Sequence, residues 1–116
     1  MLTLSATTRI FFYTQPVDMR RSFDGLQGLI AQSFRHDVLS GHLFVFRNRR
    51  GDRLKLLYWD RDGLAIWYKR LEAGSFQLPQ GGAADGVELQ PAQLAMLLSG
   101  IDLHTARQRK RFHRAG

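Results

Sequence analysis

The sequence predicts an α+β fold: an antiparallel sheet built on a three-stranded meander, with one long helix packed on it and a short C-terminal helix. Three observations carry this. Residues 42–71 contain three runs rich in aromatic and β-branched residues, divided by two short turns that end in glycine. A segment with apolar residues at helical spacing precedes them. A segment opened by proline and closed by glycine follows them.

Taken in order, "TRIFFYT" (Thr8 to Thr14) reads as a strand, and Ile10 to Tyr13 is expected to join an edge of the sheet. "QPVD" turns the chain. Asp18 suits a helix N-cap, and Met19, Phe23, Leu26 and Ile30 then recur at helical spacing to about Phe34. Gly25 and Gly28 weaken that helix by roughly 1 kcal/mol each against alanine, or permit close packing on the sheet.

Strands are expected at His42–Asn48, Asp52–Asp60 and Gly63–Leu71. The connections "RRG" (Arg49 to Gly51) and "RDG" (Arg61 to Gly63) read as three-residue loops closed by a left-handed glycine. That loop length fixes a register. It places Phe44, Phe46, Leu54, Leu56, Tyr58, Leu64, Ile66 and Tyr68 on one face, under the long helix. The other face receives Leu43, Val45, Arg47, Arg53, Lys55, Leu57, Trp59, Ala65, Trp67 and Lys69. A different loop length in either turn changes the assignment. After a glycine-rich loop, Val87 to Leu89 is extended, and a helix runs from Pro91 to about Ser99 with Gly100 as its stop.

One domain, residues 1–103, is expected, followed by a basic, flexible tail at 104–116. The chain has 116 residues and no cysteine, which excludes disulfides, thiolate chemistry and the usual structural zinc sites and fits a reducing cytosol. The longest apolar run is too short for a bilayer and no signal peptide is visible, so a cytoplasmic protein without membrane contact is expected.

Net charge is +7, and fourteen of the seventeen cations are arginine, the side chain suited to phosphate forks and base stacking. Residues 45–72 carry eight cations against four anions, and residues 104–116 carry five cations and no anion. In the expected register Lys55 faces Lys69 and Arg47 faces Arg53, pairs that repel unless an anion lies across them. Trp59 and Trp67 share that face and could stack bases. The candidate nucleic-acid-binding set is therefore Arg47, Arg49, Arg50, Arg53, Lys55, Trp59, Arg61, Trp67, Lys69 and Arg70, with Arg107, Arg109, Lys110, Arg111 and Arg114 in the tail. The competing reading is a second core layer: Leu43, Val45, Leu57, Trp59 and Trp67 under a helix, with the basic stems reaching round its edge.

Catalytic and metal chemistry is not expected. "DRDG" (Asp60 to Gly63) fails the calcium-loop pattern, since Ala65 and Leu71 stand where glycine and glutamate are required. The four histidines lack ligand spacing, "RGD" (Arg50 to Asp52) is part of a hairpin turn, and no phosphate loop, nucleophile elbow or acid–base pair occurs. No cofactor is expected.

"PVDMRRSFDGL", "GHLFVFRNRRGDRLKLLYWDRDGLAIWYKRLEAGSF" and "LAMLLSGIDL" closely resemble the TnpB accessory proteins of the insertion-sequence-sixty-six family of bacterial transposons, over about Arg9 to Leu103. The resemblance implies a role in transposition beside a large transposase and a second accessory protein. It supplies no catalytic residues. Two mechanisms stay open: a DNA-binding helper that grips transposon ends or exposed strands, and an assembly factor that docks on the transposase without touching DNA.

Overall fold

The computed structural model describes residues 7–34, 36–79 and 86–100. Five strands form one mixed sheet: β1 (Ile10–Tyr13), β2 (Leu43–Arg47), β3 (Arg53–Asp60), β4 (Gly63–Arg70) and β5 (Gly86–Leu89), in the order β4-β3-β2-β1-β5. The fold is α+β, but the sheet is not wholly antiparallel, because β1 pairs with β2 in parallel. A parallel neighbour needs a crossover connection. Residues 14–42 provide it, through α1 (Phe23–Leu29), a π-helical turn (Ile30–Phe34) and a 3-10 turn (Val38–Ser40). β1 joins the β2 edge of the meander, and β5 then adds outside β1.

Both faces of the sheet are covered. This explains why "IFFY" is buried at all four positions, as a strand covered on both faces requires. On one face, Leu26 and Ile30 pack with Phe11, Tyr13, Phe44, Phe46 and Leu57. On the other, Leu94 and Leu97 of α2 (Pro91–Ser99) pack with Ile10, Phe12, Leu43, Val45, Leu54 and Leu56, and Leu71 and Phe76 extend this layer. Pro91 opens α2 and Gly100 ends it at φ 83°, as expected of this pairing.

The long helix expected from Asp18 is shorter. Asp18 caps a tight turn instead, its Oδ1 accepting the Arg20 N–H at 2.9 Å and its carbonyl the Arg21 N–H at 3.0 Å. The Met19 and Arg21 carbonyls are both committed to Lys55 Nζ, so the helix begins only at Phe23.

Both hairpin loops differ in length from the expected three residues. Arg47 pairs with Leu54, and Asn48 continues the ladder by donating its N–H to the Arg53 carbonyl at 3.2 Å. Arg49, Arg50, Gly51 and Asp52 are thus a four-residue loop, with Gly51 left-handed at φ 75°. At the other end Asp60 pairs directly with Gly63, leaving a two-residue loop. Its left-handed residue is Arg61 (φ 57°), not Gly63, and the Asp62 N–H donates back to the Asp60 carbonyl at 2.6 Å. One loop is longer by a residue and the other shorter by one. β3 therefore turns over relative to both neighbours, while β2 and β4 keep their expected relation.

The expected basic and aromatic face is divided as a result. Arg47, Trp67 and Lys69 lie on the α2 face with Leu54, Leu56 and Tyr58. Arg53, Lys55 and Trp59 lie on the α1 face with Leu57, Ile66 and Tyr68. Trp59 and Trp67 are on opposite sides of the sheet and form no common stacking platform.

Candidate nucleic-acid interface

The β2–β3 turn is pinned from every side. The Asn48 side chain accepts the Arg53 N–H at 3.0 Å and donates to Asp52 Oδ1 at 2.6 Å. The Gly51 carbonyl accepts the Phe76 N–H, and the Asp52 carbonyl accepts the Leu71 N–H, both at 2.8 Å. Opposite the turn runs the segment Pro16 to Arg20. It is tied to β2 by the Val17 N–H donating to the Arg47 carbonyl at 2.8 Å. The Arg47 guanidinium donates to the Thr14 carbonyl from Nε at 3.2 Å and from Nη2 at 2.5 Å.

Between turn and segment lies an open groove of about 570 Å³, lined by Pro16, Asp18, Arg20, Asn48, Arg49, Arg50, Asp52 and Arg53 among others. Four arginines stand against two carboxylates, and both carboxylates are occupied. Arg20 grips Asp18 with a two-pronged ion pair, shortest contact 2.7 Å, which holds the Asp18 carboxyl down at about 2. Asp52 accepts from Asn48. Arg49, Arg50 and Arg53 have no acidic partner within ion-pair distance among the described residues.

Arg53 also lies directly opposite Arg70 on the β3–β4 ladder. Arg53 reaches the Tyr68 hydroxyl at 3.1 Å, and Arg70 turns to Glu72 at 2.9 Å. Like charges facing each other across a ladder weaken a sheet standing alone. Burial first, then the charge of Arg49, lowers the proton affinity of Arg47.

The sequence-predicted residues thus sort into distinct roles. Arg49, Arg50 and Arg53 converge on the groove, with Arg70 beside it. Arg61 is exposed at the far tip of the sheet. Lys69 is exposed on the α2 face, beside Leu98 and Ser99. Lys55 is withdrawn: only 7 % exposed, its Nζ donates to the carbonyls of Met19 and Arg21 at 2.7 Å each. Trp67 packs into the α2-side core, and Trp59, half-buried, donates its indole N–H to the Arg61 carbonyl at 3.0 Å. Arg107, Arg109, Lys110, Arg111 and Arg114 lie outside the described residues.

Arg20 and Asn48 are not among the predicted site residues. Arg20 stands in "VDMRR", and its Asp18 neighbour marks a turn as readily as a helix cap. Among the described residues no group of three or more histidine or acidic side chains is placed to hold a metal ion, and no helix is long and apolar enough to cross a membrane.

Comparison with known proteins agrees with the quoted motifs. The family model described as "IS66 Orf2 like protein" matches residues 8–108. The Sinorhizobium fredii protein y4jC is 39% identical over 103 residues, covering 88% of this chain and 86% of its own length. A second protein of that organism, y4hO, is 39% identical over 104 residues, covering 88% of each. No solved structure gives a significant match. Matched over nearly its whole length, the chain belongs to the IS66 Orf2-like family, the TnpB accessory proteins of these insertion sequences.

Proposed function

We propose that this protein is a non-catalytic helper of insertion-sequence transposition that holds DNA by its phosphates at the arginine groove. The observation that carries the reading is the convergence of Arg49, Arg50 and Arg53 on one groove with no acidic partner there among the described residues. Arginine forks bind phosphate oxygens two at a time, and a turn already held by backbone bonds adds no backbone ordering to the cost of immobilising those side chains. The basic segment 104–116 adds five cations to the same task. The helper acts in the cytoplasm beside the transposase and the second accessory protein of its element.

Binding to transposon-end duplex, scrambled duplex and single strand at two salt concentrations tests this. Affinity should fall steeply as salt rises. The assembly reading has an observation of its own: Leu39 and Phe23 are large apolar side chains left 57% and 41% exposed. Docking of such side chains on the transposase would resist salt. Absent DNA binding at low salt, together with salt-resistant capture of the purified transposase, would replace the first reading by the second.

A further inference from the structure

β4 is the long outer strand of the sheet. Only β3 pairs with it among the described residues. It runs for eight residues with no proline, and its ladder to β3 is continuous. Edges of this kind are usually blunted by prolines, bulges or charges along the strand; here the only charges are Lys69 and Arg70 at its end.

The backbone bonds define which groups are free. The Leu71 N–H donates to the Asp52 carbonyl, so residue 71 points toward β3. Direction alternates along an antiparallel strand. Residues 63, 65, 67 and 69 therefore also point toward β3, and Leu64, Ile66, Tyr68 and Arg70 turn their N–H and C=O groups outward. Side-chain burial agrees. Leu56 and Leu57 on β3 are fully buried, yet their partners Trp67 and Ile66 on β4 remain half-exposed, and Tyr68 is 46% exposed.

We propose that this edge binds the β4 edge of a second copy of the same chain, antiparallel and centred on Ile66. Backbone direction admits only registers in which outward-pointing residues face one another. Of these, the one centred on Ile66 pairs all of residues 63–69. It sets Leu64 against the partner's Tyr68 and Ala65 against the partner's Trp67, a small side chain beside a large one. It also sets Asp62 against the partner's Arg70, twice by symmetry. A slip by two residues in one direction puts Asp62 opposite the partner's Glu72 and Leu64 opposite the partner's Arg70. A slip in the other direction drives the Arg61–Asp62 turn into the ladder. Charge and backbone parity thus select one register, and the dimer is a continuous ten-stranded sheet, five strands from each copy.

Light scattering across a concentration series, without DNA, reads the result. The full chain should pass from monomer to dimer. Asp62→Lys and Arg70→Glu should each weaken the dimer roughly two- to thirty-fold, because each removes two symmetry-related pairs. The double variant Asp62→Lys/Arg70→Glu should recover affinity. Ile66→Pro removes an N–H that β3 does not use and should give a monomer with native circular dichroism. Should that variant unfold, the charge exchange carries the test alone. A chain that stays monomeric at every concentration, or a dimer indifferent to both charge reversals, overturns the proposal.

Discussion

The Lys55 ammonium lies 4.8 Å from the centre of the Tyr68 ring, directly across the β3–β4 ladder. Its three donors face a ring and the carbonyls of Met19 and Arg21. A buried ammonium is costly unless it is satisfied in this way. Lys55 is thus a strut between the sheet and the segment that forms one wall of the arginine groove.

Lys55→Met should therefore act on the fold. It keeps the apolar stem but leaves two carbonyls without their donor, at a cost of about 1–3 kcal/mol. Chemical denaturation should show a lowered midpoint with an unchanged slope. A variant of wild-type stability with reduced DNA affinity would return Lys55 to the binding surface.

Much of this fold is legible in the chain. The strand segments, the turn positions, Pro91 and Gly100 all follow from local chemistry. The face of β3 does not, because it depends on loop length to the residue. "NRRGDR" closes as a four-residue loop because the Asn48 side chain bonds to both Arg53 and Asp52, and nothing local distinguishes that from a three-residue loop. In "DRDG" the left-handed conformation falls on Arg61 although glycine stands two positions later. The two differences flip one strand and separate Trp59 from Trp67. The groove is legible only in part: Arg49 and Arg50 stand out as turn residues, whereas Arg20 joins them through a crossover that local pattern does not encode.

Trp67, on β4, offers a direct check on the covered α2 face. It packs against the α2-side core, opposite Leu56. Trp67→Ala should destabilise the protein by about 2 kcal/mol, below the roughly 3–5 kcal/mol for a fully buried aromatic because Trp67 is half-exposed. Single-stranded DNA should leave the Trp67 emission of a Trp59→Phe variant unquenched. Strong quenching there would place bases on the α2 face after all.

His42 couples the sheet to pH. Its Nδ1 accepts the Arg9 N–H at 3.1 Å, which requires the neutral ring. Burial first, then His36 and Arg9, lower its proton affinity, against a smaller opposing effect of Glu88. The unfolded chain then binds the proton more readily than the folded one. The stability present above about pH 6.5 should decline as pH falls below that value, and the decline should stop once the folded ring is also protonated. Urea midpoints on either side of that pH, for the wild type and His42→Asn, measure the effect. Equal pH dependence in the two proteins would assign it elsewhere.

The groove itself is tested by Arg49→Ala/Arg50→Ala. Both side chains are exposed and neither has an acidic partner among the described residues, so the fold should be unaffected. Every duplex phosphate that the variant no longer neutralises flattens the log–log salt slope by about 0.9, so the double variant should flatten it by up to about 2 units. Affinity should fall alike for transposon-end and scrambled duplexes, because arginine–phosphate bonds carry no direct sequence information. Lys69→Ala provides the control for bulk charge. It removes an exposed cation from the α2 face, away from the groove lining, and should change the slope far less than the loop substitutions. Equal effects per charge at the two sites would mean that DNA responds to net charge alone, and the groove would lose its claim to be the DNA-binding surface.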